Sequence, residues 1–371
     1  MNHEAGRPAG GRFRSGPARS RVALIFTGGT ISMTVDPAAG GAVPTLAGAD
    51  LLGLVPGLDE IAEIVAVDRG RTPASHFSFA DVLAIGAAIY AALADVATTG
   101  VVVVQGTDTL EETAFAWDLC HADSRPVVVT GAMRNASDPG WDGAANLRAA
   151  VRLAVHPAAR GAGVLVVLGG RVIAADDVAK RHSSAVDAFA SRAGHPLGRV
   201  GDRRVTLAPR GPRRHIAPVP AAAGGPVEIV TAALETDGRV LDRAVAAGAR
   251  AVVVAATGSG NTHPDLLRAA IDAMAAGIPV ALASRTGAGP VGPFYGFPGG
   301  GTTWQRAGAL MAGSLTPVQA RVAIALGLGA GLGTEELRVL LADPSPASGA
   351  GAARLRSGAI SSSSPRHGGP T

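Results

Sequence analysis

Lysine is almost missing from this chain: of 33 basic residues only Lys180 is not arginine. Arginine replaces lysine wherever a fixed positive charge suffices, but its guanidinium does not give up a proton, whereas a desolvated lysine amine can act as a base. Drift of composition toward arginine would leave the same count, so the weight of Lys180 as a chemical group rests on its neighbours. Cysteine is also scarce. The single Cys120 excludes an intramolecular disulfide, and its place after the apolar stretch 113–119 suits a buried small hydrophobe. No run of some 18 apolar residues exists to span a bilayer, and the N-terminus carries Arg, Gly and Pro where a secretory signal has an apolar segment. The expectation is a cytoplasmic protein without membrane contact. A basic face is missing as well: of the net charge of +4, residues 1–21 supply +4 and residues 344–371 supply +3, which leaves about −3 on 22–343. Nucleic acid is therefore not an expected partner.

What is present is a large apolar share, 47% of 371 residues, enough for two buried cores. Residues 1–20 and 343–371 are rich in Gly, Pro, Ala, Ser and Arg without periodicity and are expected to be disordered tails. Between them, β-branched runs at 22–26, 101–104, 127–130, 164–168, 227–230, 252–255 and 280–283 alternate with helix-like stretches. Continuous Val-rich strands of this kind are buried on both faces, which predicts parallel sheets covered by helices. Ser78 with Asp81 and Thr109 with Glu112 fit a capping box, and Thr316-Pro317 fits an N-cap followed by a first-turn proline. The Pro-, Gly- and Arg-rich stretch 209–226 interrupts the alternation. The expected fold is α/β in two domains: a parallel-sheet N-terminal domain over 21–208, a linker over 209–226, and a smaller flavodoxin-like α/β C-terminal domain over 227–342.

Ligands of such sheets bind beyond the carboxyl ends of the strands, so the loops that follow strands should carry the chemistry. Three are loaded with polar groups: Thr27-Gly28-Gly29-Thr30, Gln105-Gly106-Thr107-Asp108-Thr109 and Gly131-Ala132-Met133-Arg134. The first lacks the glycine spacing of a dinucleotide loop and the lysine of a phosphate-binding loop. A threonine hydroxyl is a poor nucleophile at neutral pH and needs a base, which in turn needs an orienting group. Thr107, Lys180 and Asp108 supply nucleophile or proton relay, amine base and carboxylate. Thr30 is a second hydroxyl, and backbone amides of the glycine turns can hold an oxyanion. Together this is equipment for acyl transfer. His121, His156, His182, His195, His215 and His263 have no spacing that gathers a metal, so no metal site is expected. His76 and the glutamates Glu111 and Glu112 read as a solvated loop residue and as helix N-terminal charges respectively.

The chain resembles the bacterial-type L-asparaginase family, which includes glutaminase-asparaginases, from Val22 to about Leu341. The motifs that carry the resemblance are Thr27-Gly28-Gly29-Thr30-Ile31, Gln105 through Thr113, Val129-Thr130-Gly131-Ala132-Met133-Arg134, Asp142-Gly143 with Asn146-Leu147, and Asp177-Val178-Ala179-Lys180. The resemblance implies hydrolysis of L-asparagine through a threonine acyl-enzyme, with a glutaminase-asparaginase that also takes L-glutamine as the alternative. It implies that Thr30 and Thr107 face the substrate amide, that Thr107, Lys180 and Asp108 form a triad, and that Asp108 also holds the substrate α-amino group. Gly29, Gly106 and Ala132 line the substrate, and Asn261, in Gly258-Ser259-Gly260-Asn261, reaches a neighbouring subunit's site. A homo-oligomer, dimer or tetramer, is implied, and no metal or organic cofactor.

Two departures stand out. Where many members carry a lid tyrosine this chain has Ala42 or Val43, and where they bind the substrate carboxylate with a serine it reads Pro73-Ala74-Ser75-His76, so that Ser75 takes the role with a one-place shift. Two other functions use the same residues: ammonia delivery from glutamine or a tRNA-bound amide, which needs a partner subunit, and non-catalytic binding of amino acids or nucleotides.

Overall fold

The structure is a computed structural model and describes residues 20–344; the tails expected at 1–20 and 343–371 fall almost wholly outside the described residues. Eight strands form the larger sheet. Its parallel strands are Arg21–Phe26, Glu63–Asp68, Thr98–Val104, Val127–Thr130 and Val164–Leu168, and taken in chain order they lie 2-1-3-4-5 across the sheet. Arg171–Ala174, Gly198–Val200 and Val205–Leu207 extend it antiparallel beyond the fifth. A smaller sheet of four parallel strands, Val227–Thr231, Ala251–Ala256, Val280–Ser284 and Leu310–Met311, runs in sequential order. The architecture is thus mixed α/β, with a parallel-dominated large sheet and a separate small one.

Alternation along the strands explains the layers. Val101 and Val103 enter one core with Ile85, Ile89, Phe115 and Leu119, while Val102 and Val104 enter another with Leu147 and Val151. Helices Phe79–Ala94 and Leu110–Cys120 therefore cover one face and helix Gly143–Ala154 the other. The first core continues into the small sheet through Val253, Ala281 and Ile324 of helix Pro317–Gly329, so the two sheets share a buried apolar layer. Val252 and Val254 face the far side, against Leu241 and Leu266 of the two outer helices. No helix among the described residues is long and apolar enough to cross a membrane.

The stretch expected as a linker, 209–226, is pinned by charge. Asp118 is buried and accepts from Arg210 at 2.7 Å and from Arg213 at 2.9 Å, and Arg210 reaches on to Asp176 at 2.7 Å. Arg214 pairs with Asp343 at 2.8 Å. Two of the three caps form as expected: Asp81 accepts the backbone amide of Ser78 while Ser78 accepts that of Asp81, and Thr316 with Gln319 does the same. Thr109 does occupy the N-cap, its carbonyl accepting the Glu112 and Thr113 amides, but its side chain makes no cap bond: the hydroxyl donates to the Ala74 carbonyl at 2.9 Å.

Cys120 ends its helix buried, at 6% exposure, and burial pushes its thiol up to about 11. Thiolate is the reactive form. The native chain at pH 8 should therefore react with a thiol reagent at less than ~1/100 the rate of free cysteine, and match it only in denaturant. A native rate close to that of free cysteine would show that the side chain is accessible.

Candidate active site

The 2-1-3-4-5 order reverses direction between the first strand and its neighbour Thr98–Val104, and a sheet opens a crevice at such a switch point. The two loops that leave those strands are in backbone contact. Gly29 has φ 93°, and a Cβ there would fall 2.1 Å from the Gly106 nitrogen. Only glycine tolerates both the left-handed backbone and the approach. Thr27 binds the chain to the Val104 carbonyl through its amide at 3.0 Å and its hydroxyl at 3.2 Å, and Thr30 follows at the start of a short 3₁₀ turn, Thr30–Ser32.

The second loop is held from both sides. The Gln105 amide donates to the Thr130 carbonyl at 3.0 Å, and its side chain donates to Thr113 at 2.8 Å. A Cβ on Gly106 would meet that of Ala74 at 2.9 Å. The 3₁₀ turn Ala74–His76 is thereby seated on the loop, with Ser75 and His76 exposed beside it. On the opposite side a Cβ on Gly131 would lie 2.5 Å from the Gln105 carbonyl. Asn146 accepts no slack there: it donates to the Gly131 carbonyl at 3.0 Å, while Asp142 accepts the Met133 amide at 3.1 Å, with Ala132 fully buried between.

Into this ring of loops comes the lone lysine, from a separate two-stranded hairpin, Val178–Lys180 with Phe189–Ser191. The Lys180 amine donates to Thr107 Oγ1 at 3.0 Å and to Asp108 Oδ1 at 2.8 Å. Thr107 is 4% exposed. The Lys180 and Asp108 side chains are 17% and 63% exposed, so the hydroxyl is sheltered while the carboxylate opens to solvent. A base must lie within hydrogen-bond reach of the proton it takes, and the amine does. Of the expected site residues, Thr107, Asp108 and Lys180 are in direct contact, and Gly29, Gly106, Ser75 and Ala132 lie on segments that touch the same loop. Asn261 is elsewhere, in a turn of the small domain closed by Thr257 and Asn261 backbone bonds at 2.9 and 3.0 Å; its Oδ1 is buried without a hydrogen-bond partner.

Ala42 and Val43 lie in the hairpin Met33–Asp36 with Gly41–Pro44, where Val43 pairs with Thr34. The tyrosines of the chain are remote from that hairpin in sequence, and Tyr90 donates to the Cys120 carbonyl at 2.7 Å. One functional neighbour escaped sequence reading. Glu111, read as a helix N-terminal charge, accepts the backbone amide of Lys180 at 3.2 Å across 69 residues of sequence. Burial pushes its carboxyl above the usual range, against the Lys180 amide and the charges of Arg192 and Lys180, which favour the ionised form.

Comparison with known proteins agrees over most of the described residues. A family model described as asparaginase, N-terminal, matches residues 21–212, and one described as glutaminase/asparaginase C-terminal domain matches 226–341. The chain is similar to a probable L-asparaginase of Deinococcus radiodurans, 39% identical over 332 residues that cover 86% of this chain and 96% of the relative. It is also similar to an L-asparaginase of Bacillus licheniformis, 30% identical over 308 residues, 82% and 94% of the two chains. Among solved structures, a probable cytoplasmic L-asparaginase from Campylobacter jejuni superposes with a TM-score of 0.79 at 28% identity, covering 87% of this chain and 99% of that one.

Proposed function

The chain belongs to the asparaginase family, and on that premise we propose that it is an amidohydrolase that converts L-asparagine to L-aspartate and ammonia through a threonine ester. The observation that carries the mechanism is the Lys180 amine 3.0 Å from the sheltered Thr107 hydroxyl and 2.8 Å from the Asp108 carboxylate.

In its neutral form Lys180 takes the Thr107 proton. The hydroxyl oxygen, or that of Thr30 with Thr107 relaying the proton, attacks the side-chain amide carbon. The amide oxygen gains charge, which backbone N–H groups of the glycine turns receive. The ammonium of Lys180 returns the proton to the leaving nitrogen, the C–N bond breaks and ammonia departs. Water then gives its proton to the same amine and attacks the ester, which releases aspartate and restores the threonine. Asp108 orients the amine and, being open to solvent, receives the substrate α-ammonium. Ser75 binds the α-carboxylate, Gly29, Gly106 and Ala132 wall the site, and Asn261 of a second copy completes it in a homodimer or tetramer. No metal or organic cofactor enters these steps, and the enzyme works in the cytoplasm.

Ammonia release measured with asparagine and glutamine across concentration tests the reading. Saturable release from asparagine in step with aspartate is expected, with kcat on the order of 1–10³ s⁻¹. Release from glutamine alone would make it a glutaminase, and binding of asparagine without release would make it a binding protein.

A further inference from the structure

We infer that Glu111 is a positioning residue for Lys180: its carboxylate holds the backbone from which the amine extends, and turnover depends on it although it touches no substrate. The inference rests on the hydrolase reading above.

The hairpin that carries Lys180 is short and belongs to neither the eight-stranded nor the four-stranded sheet; its three pairs run from Lys180 with Phe189 to Val178 with Ser191. Such a ladder is marginal by itself. Its far end is tied by Asp177, which accepts the Ser191 hydroxyl at 2.5 Å and the Ala193 amide at 2.9 Å. At the Lys180 end the next inward bond is Arg181 N to the Ala188 carbonyl, at 2.7 Å, and the Lys180 amide turns away from the hairpin to Glu111. Glu111 sits in the first turn of helix Leu110–Cys120, the helix that leaves Thr107 and Asp108 directly. The triad is thus closed twice between the same two segments, once through the amine and once through the backbone.

The double closure matters because a lysine stem has four rotatable carbons and does not fix its own amine. Glu111 fixes the origin of the stem relative to Thr107, and a displacement of about 1 Å in a catalytic group can cost ~10²-fold in rate. Arg192, next to the hairpin, supplies the neighbouring cation and itself donates to the carbonyls of Asp176 and of Ser314 in the C-terminal half. Glu112, one residue on, is equally set in the first turn but interacts with Arg321 and not with the hairpin.

The test compares Glu111→Ala, Glu111→Gln and Glu112→Ala by kcat and KM for asparagine, with melting temperature and oligomeric state recorded for each. Glu111→Ala should lose ~30-fold or more in kcat with KM within ~3-fold, because the amine is misplaced while substrate contacts remain. Glu111→Gln keeps an acceptor for the Lys180 amide and should stay within ~3-fold of the parent, and Glu112→Ala within about 2-fold. If Glu111→Ala does not fold, Glu111→Met keeps the bulk and lacks only the acceptor, and the same loss is expected. An unchanged kcat, a loss expressed in KM, or an equal loss in Glu112→Ala overturns the inference. A parent enzyme that releases no ammonia overturns the hydrolase reading instead.

Discussion

Lys180→Arg leaves a folded protein whose turnover of asparagine is at least ~10³-fold lower, a barrier higher by about 4 kcal/mol. The positive charge survives the substitution, and so does a donor for Asp108, which the amine meets at 2.8 Å. What disappears is the ability to accept the proton of the Thr107 hydroxyl, because a guanidinium stays protonated at any working pH. The loss should fall on kcat, since substrate is held by other groups. An unaltered melting temperature would separate this from unfolding. Ammonia release within tenfold of the parent would remove the lysine from the proton path.

A second large effect needs no reactive atom. Gly29→Ala places a methyl group 2.1 Å from the Gly106 nitrogen, on a backbone with φ 93° that an L side chain rarely adopts. The two loops must separate, and they carry Thr30 on one side and Thr107 with Asp108 on the other. The expected cost is about 3 kcal/mol of stability together with loss of at least ~10²-fold in turnover. Gly53→Ala is the control, because nothing lies within 4 Å of a Cβ there. Urea melts and the ammonia assay on both variants check this; a fully active Gly29→Ala would show that the loops do not need their contact.

Much of this was legible before any coordinates. Runs such as 101–104 are β-branched without interruption, and only a strand buried on both faces needs that, so the parallel sheets were readable. Glu63–Asp68 was not: it mixes acids with Val and Ala because it lies at the sheet edge, half exposed, where the hydrophobic signal fades. The short antiparallel strands Gly198–Val200 and Val205–Leu207 fail the same way, being three residues each. The contact of Lys180 with Thr107 and Asp108 followed from composition and from motif, since a lone lysine beside a Thr-Asp pair has a chemical reason. Glu111 was hidden because its partner is a backbone amide, which no residue type marks. The Thr109 box fails because the hydroxyl turns to donate to the Ala74 carbonyl instead of accepting the Glu112 amide, and only the fold brings Ala74 near. The arginines of 209–226 are likewise mute in sequence, and Asp118 gives them meaning only once it is buried between them.

The amine itself can be removed and put back. Lys180→Cys introduces a thiol into a chain whose other cysteine is buried with its thiol pushed up to about 11. Alkylation with 2-bromoethylamine then rebuilds a primary amine at nearly the length of lysine, with sulfur in place of one methylene. The account predicts that the variant loses at least ~10³-fold in ammonia release and that aminoethylation restores about a tenth or more of parent turnover, while a neutral alkylating agent restores none. An active variant before treatment, or a fully aminoethylated one that stays inactive while folded, would contradict it.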